Sequence, residues 1–219
     1  MGKVVQARTR VKICGLKSQE NIRAAVEAGA DAIGFVFYPG SKRALTVEQA
    51  RELRKAVPPF VALTALFVNA TVDEVKAVID QVQPDVLQFH GDETPAYCEQ
   101  FHRPYIRGFR VGGPGMETPD AVLATCQQYM SARAWLVDSY SAGYGGSGQA
   151  LDTRLLARLH DAAERRPLIL AGGLTAQSVA ESIRAVRPYA VDVSSGVETA
   201  PGVKSAEKIV RFLEAVAAP

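Results

Sequence analysis

The sequence predicts a closed parallel (β/α)8 barrel of the TIM type, held in one domain. Eight short β-branched runs alternate with eight helical patterns, at a period of roughly 25 residues. Such alternation implies parallel strands covered by helices. No glycine fingerprint of an open doubly wound sheet follows the first strand, where Cys14-Gly15-Leu16 stands instead. The 219 residues suffice for one large core. The predicted domain covers residues 1–219, with 1–8 as a short N-terminal extension.

The elements follow in order. The first strand is read at Thr9–Cys14, and Ser18 caps a helix that Gly29 stops near Ala28. The second strand is Ala32–Phe37. Thr46 with Gln49 forms a capping box, and that helix ends before Pro58 and Pro59. The third strand lies within Val61–Val68; Thr71 caps the next helix and Pro84 ends it. Strand four is Asp85–Phe89, with a helix from Pro95 to His102. Strand five is Tyr105–Phe109, with a helix from Pro119 to Met130. Strand six is Ala134–Asp138; a long glycine-rich loop leads to a helix over 153–164. Strand seven is Leu168–Ala171, and Thr175 caps a helix to Val186. Strand eight is Ala190–Val193, and the last helix spans Ser205–Ala217.

Charge and composition narrow the partners. Twenty-five Lys+Arg stand against 23 Asp+Glu, with no block of one sign. Neither a nucleic-acid nor a membrane partner is expected, so an anionic substrate must be bound locally. Apolar runs are too short for a membrane span, and the first ten residues hold no signal-peptide core. Three dispersed cysteines make no disulfide framework, which fits a cytoplasmic setting. The chain is expected as a monomer or homodimer.

In this fold the active site lies at the C-terminal strand ends. That rule selects Cys14, Asp138, His90, Arg43, the Gly172-Gly173 turn and the Ser194-Ser195-Gly196 turn. Alternation along a strand turns Lys12 and Cys14 inward with Val11 and Ile13 outward; Leu136 and Asp138 likewise face in, Trp135 and Val137 out. A thiol and a carboxyl would then flank the mouth. The bare turns at Gly172, Gly173 and Gly196, with Ser195, fit a phosphate, and the helix opened by Thr175 adds its positive end. Cys14 could equally be a buried core cysteine. Asp138 could be a cap or structural ion pair, and Arg43 a solvated loop residue. His90 near Asp92 and Glu93 lacks the paired spacing of a metal site, so it is read as lining the mouth, with no metal. Lys12 is read as a buried ammonium paired with inward Asp192 rather than a Schiff-base lysine. Cys98 and Cys126 are read as inert. The loop Ser139–Ala150, with Gly143, Gly145, Gly146 and Gly148, suits a lid over substrate.

Read together, KICG (12–15), GFVFYPGSKR (34–43), LFVN (66–69), QFHGDE (88–93), VDS (137–139), GGSG (145–148), AGGL (171–174), DVSSGVE (192–198) and PGVK (201–204) resemble the phosphoribosylanthranilate isomerase family in order and spacing. The resemblance runs from residue 9 to the last helix. It implies an Amadori rearrangement in tryptophan biosynthesis, in which N-(5′-phosphoribosyl)anthranilate becomes 1-(2-carboxyphenylamino)-1-deoxyribulose 5-phosphate. It implies Asp138 as general acid on the ring oxygen and Cys14 as general base at C2′, in a thiolate form favoured by local positive charge. Arg43 would grip the anthranilate carboxylate. His90, Gly146, Gly172, Gly173, Asp192, Ser195 and Gly196 complete the implied binding set. No cofactor is implied, because the substrate nitrogen serves as electron sink. Other readings stay open: a related phosphate-binding isomerase of histidine biosynthesis, which uses two aspartates, an indole-forming synthase using a lysine, or a non-catalytic barrel that binds phosphorylated metabolites.

Overall fold

The computed structural model describes residues 8–141 and 150–218. Eight strands form a closed barrel in sequence order. They are β1 (Arg10–Cys14), β2 (Ala32–Val36), β3 (Ala62–Phe67), β4 (Val86–Phe89), β5 (Tyr105–Val111), β6 (Ala134–Ser139), β7 (Leu168–Leu170) and β8 (Ala190–Val193). The ring closes where β1 pairs in parallel with β8, setting Lys12 beside Asp192. Closure gives every barrel strand two neighbours. The covering helices are α1 (Gln19–Glu27), α2 (Val47–Arg54), α3 (Val72–Val82), α4 (Pro95–Glu99), α5 (Pro119–Gln127), α6 (Ala157–Asp161), α7 (Val179–Val186) and α8 (Ala206–Ala217). Among the described residues, no helix is long and apolar enough to cross a membrane.

The helix starts follow from side-chain chemistry. Ser18, Thr94, Thr118 and Ser205 each accept a hydrogen bond from a backbone N–H three residues on. Thr46 with Gln49, and Thr71 with Glu74, form complete capping boxes. Gly29 takes φ +96 after α1, as its stop position requires.

Four helices depart from the sequence expectation, α5 by ending at Gln127 rather than Met130. Thr175 does not cap α7, which begins at Val179. The Thr175 and Ser178 hydroxyls instead accept from each other's backbone N–H, at 3.3 and 3.1 Å, closing a separate turn. The segment after β6 splits into a 3-10 turn (Thr153–Leu156) and a short α6. Leu156 of the 3-10 turn and Leu159 of α6 are the buried residues that anchor this segment. Helix α4 ends at Glu99, and His102 beyond it is left-handed at φ 51.

Strand parity sorts the core into two layers. Val11, Ile13, Trp135 and Val137 join the large cluster between barrel and helices. Leu136 packs with Ile106, Ala134, Ile169, Ala171 and Ala190 in a separate, smaller cluster that plugs the barrel's interior. In the outer layer Phe89 is an aromatic hub. Its ring centroid lies 5.8 Å from those of Tyr97, Phe101 and Tyr105, and 6.0 Å from Phe67. Burying such a ring contributes several times what one capping bond does. Phe89→Ala is therefore expected to cost about 3–5 kcal/mol. Thr71→Ala should cost about 1 kcal/mol. Chemical denaturation of both variants checks this order.

Candidate active site

At the C-terminal strand ends, Cys14, Arg43, His90, Asp138, Asp192 and Ser194 border one cavity of about 70 Å³. The expected acid, base and carboxylate-gripping arginine thus meet at one mouth.

Cys14 closes β1, faces inward and is only 5% exposed. Lys12 sits below it on the same face and donates from Nζ to Asp192 Oδ1 at 2.9 Å, both groups buried. This is the pairing the sequence suggested. The Lys12 ammonium also acts electrostatically on the thiol. The two need space from the next strand, and Gly34 on β2 provides it. A Cβ there would lie 2.9 Å from Cys14 Sγ and 3.2 Å from Lys12 Nζ. Nothing in the sequence alone marked Gly34 for that duty.

The electrostatics correct one expectation. Burial is the strongest influence on Cys14 and pushes its pKa above the ordinary 9.0; Lys12 and Lys204 oppose this, while Asp192 adds to it. The resting protein holds a thiol, because desolvating a thiolate outweighs the nearby ammonium charges. Burial also works against charge on Lys12, yet Asp192 and Cys14 outweigh it and raise its pKa. Lys12 therefore remains an ammonium facing the sulfur. Cys98 and Cys126 are buried and pushed up to about 12, in keeping with inert thiols.

Asp138 stands across the mouth near the end of β6, with 17% of its side chain exposed. Its Oδ2 lies 3.4 Å from His90 Nε2. The amide nitrogen of buried Gln88 meets His90 Nδ1 at 3.3 Å. Gly108 opens the space for the imidazole, since a Cβ there would fall 2.3 Å from Nδ1. Gly172 does the same for Asp138: it adopts φ +86, and a Cβ would come within 3.0 Å of Oδ1 and 2.6 Å of Ser139 N. Gln88 and Gly108 were not singled out by sequence reasoning.

Arg43 is not the free group the sequence suggested. Its Nε and Nη2 grip Glu198 Oε1 and Oε2, each at 2.7 Å. A guanidinium has a second edge, Nη1–Nη2, which this fork leaves over. The arginine stem lies on Gly15, where a Cβ would meet its Cδ at 2.5 Å. Lys204, 1% exposed, donates to Glu198 Oε1 at 2.7 Å, and to Ser194 O and Oγ at 2.9 and 3.1 Å. Ser194 Oγ in turn donates to Cys14 O at 3.1 Å. Burial works against charge on Glu198, but hydrogen bonds from Arg43 and Lys204 outweigh it and lower its pKa. Glu198 and Lys204 fell within a noted motif, yet neither was read as a site residue.

The two expected phosphate turns lie side by side. Gly172 and Gly173 both have positive φ. Gly196 belongs to a 3-10 turn, Ser195–Val197, packed so tightly that a Cβ would sit 1.9 Å from Leu174 O. The glycine is thus required by contact between the two loops, in addition to any anion approaching them. The helix dipole expected at Thr175 starts four residues later, at Val179. Gly146 and the glycines around it fall outside the described residues. Among the described residues, no group of three His, Cys, Asp or Glu side chains could hold a metal ion.

A family model described as N-(5'phosphoribosyl)anthranilate (PRA) isomerase matches residues 11–215. A protein of Bordetella parapertussis named N-(5'-phosphoribosyl)anthranilate isomerase is 58% identical over 209 residues, covering 95% of this chain and 96% of its own. The crystal structure of phosphoribosyl anthranilate isomerase from Thermotoga maritima is 37% identical, with a TM-score of 0.86 over 96% of this chain and 100% of that one. A phosphoribosyl anthranilate isomerase in complex with reduced 1-(o-carboxyphenylamino)-1-deoxyribulose 5-phosphate is 34% identical, with a TM-score of 0.82 over 96% of this chain and 100% of that one. Shared fold, matched motifs and near-complete coverage agree, and the chain belongs to the N-(5'-phosphoribosyl)anthranilate isomerase family.

Proposed function

We propose that this chain isomerises N-(5′-phosphoribosyl)anthranilate to 1-(2-carboxyphenylamino)-1-deoxyribulose 5-phosphate, with Asp138 as general acid and Cys14 as general base. One observation carries the assignment of roles: a buried thiol beside an ammonium, and a carboxyl 3.4 Å from an imidazole nitrogen, border one small cavity. The relatives bear this activity in their names, which sets aside the histidine-pathway, indole-forming and non-catalytic readings. The setting is the cytoplasm, as for a biosynthetic enzyme acting on a soluble phosphorylated metabolite.

Asp138 gives its proton to the furanose oxygen as the C1′–O bond breaks. The nitrogen lone pair then completes a C=N bond. Cys14, as thiolate, removes the C2′ proton, and the electrons of that C–H bond form the C1′–C2′ double bond of an enolamine as the C=N electrons return to nitrogen. Tautomerisation moves the enol proton to C1′ and leaves the C2′ ketone. Lys12 compensates the charge on sulfur as the thiol ionises. His90, with Nε2 3.4 Å from Oδ2, positions the carboxyl of Asp138. The free edge of Arg43 takes the anthranilate carboxylate. Backbone N–H groups of the 172–174 and 194–196 turns, with Ser195, receive the phosphate.

Each proton transfer of this kind contributes about 10²–10⁴-fold. Cys14→Ala and Asp138→Ala are therefore each expected to lower kcat by about 10²-fold or more with the fold intact. Arg43→Ala should act mainly on KM. Steady-state kinetics with circular dichroism decides, and near-wild-type turnover in either alanine variant at residues 14 or 138 contradicts the roles. Glu198 acts through Arg43, as a positioning residue. Glu198→Gln keeps shape but weakens the fork, so KM should rise by about ten-fold, the scale of one charge-assisted hydrogen bond. Glu198→Asp, which retains the charge, should recover part of that loss; equal kinetics for all three proteins removes the positioning role.

A further inference from the structure

A collection of arginines, most of them without an ion pair among the described residues, lies away from the catalytic mouth. On the opposite face, at the N-terminal ends of β1, β7 and β8, a cavity of about 450 Å³ is bordered by Arg8, Arg10, Arg165, Arg166, Arg187 and His160. No carboxylate borders it. Arg8 is held by Asp31. Among the described residues, no carboxylate lies within ion-pair distance of Arg10, Arg165, Arg166 or Arg187. Arg165 and Arg166 donate instead to the neutral carbonyls of His160 and Met130, and the buried Nε of Arg166 has no partner. The positive potential is felt locally. Burial first, then Arg165 and Arg187, lower the pKa of His160, while Asp161 works the other way. A chain with net charge of only +2 has thus gathered five guanidinium groups around one hollow.

The hollow also has an apolar floor and a ring-stacking surface. Leu159 and Leu168 line its base, with the fully buried Trp135 beneath them. Tyr189, 47% exposed, carries Arg10 over its ring at 4.2 Å. The volume falls within the range of small-molecule sites, about 300–1,000 Å³. Guanidinium forks match phosphate oxygens, and stacked aromatic and guanidinium planes match a flat heterocycle.

We propose that this face is a binding site for a polyphosphorylated heterocycle of the nucleoside polyphosphate class, separate from the catalytic mouth. The phosphates would lie among Arg10, Arg166 and Arg187, and the base against Tyr189 and the apolar floor.

The test is calorimetric titration of the full-length enzyme with ATP, inorganic tripolyphosphate and adenosine. The active site is first saturated with reaction product, so that the catalytic phosphate turns are filled. ATP should bind, more tightly than tripolyphosphate or adenosine, with affinity falling as salt rises. Trp135 is the only tryptophan, so its fluorescence should change on binding. The double variant Arg10→Gln/Arg187→Asn should weaken ATP by about ten-fold or more, the loss expected from two charge-assisted contacts, while kcat and KM stay unchanged. No ATP binding up to about 1 mM at low salt overturns the proposal. So does binding that product displaces, binding the double variant retains, or self-association through this face that leaves no room for ATP.

Discussion

The site depends on how the ring closes. Pairing β1 with β8 in the observed register sets Lys12 beside Asp192, both pointing inward, and carries Cys14 to the rim beside Ser194. A slip of one residue would turn Lys12 and Cys14 into the apolar outer layer. A buried ion pair is weak evidence of stability, since desolvating both charges consumes most of the attraction. Its value here lies in the environment given to sulfur. Burial favours the neutral thiol, and the Lys12 ammonium opposes that preference without abolishing it. The base stays protonated at rest and has compensating charge at hand when it ionises.

A second buried network meets the first at the same strand end. Glu198 is shared between Arg43 and Lys204, and Lys204 reaches Ser194, whose hydroxyl holds the Cys14 carbonyl. Together the two networks contain three cations, Lys12, Arg43 and Lys204, and two anions, Asp192 and Glu198. One positive charge is left over beside a neutral thiol. That surplus suits a site that must receive a substrate carboxylate and develop a thiolate during the reaction, and it is created within a chain whose overall charge is almost balanced.

Much of this was legible in the sequence, for local reasons. Strand alternation assigned Lys12, Cys14, Leu136 and Asp138 to the inside, and Ser18, Thr46 and Thr71 before apolar periodicity marked three helix starts. The Lys12–Asp192 pair followed from parity plus closure. Other features depended on contacts the sequence does not express. Arg43 and Glu198 are 155 positions apart, and the fork between them needs coordinates. Gly34 and Gly108 act by the side chain they lack, visible only once Cys14 and His90 are in place. Thr175 read as a cap because its hydroxyl does satisfy a backbone N–H, though in a turn rather than a helix. The protonation of Cys14 turned on the size of burial against nearby charge, and spacing supplies only the charge.

The most direct measurement of the central claim, that the residue 14 side chain is the base, is the pH profile of kcat/KM for the wild type beside Cys14→Asp. Asp138 must hold its proton while Cys14 has lost its own, so with a thiol raised above 9.0 the wild-type curve should fall off on the alkaline side at a break set by Cys14. An aspartate at that position has an ordinary pKa near 3.9, so that alkaline break should disappear, whatever the residual rate. A wild-type profile with no alkaline break, or a break that stays in place when the side chain changes, would contradict the account.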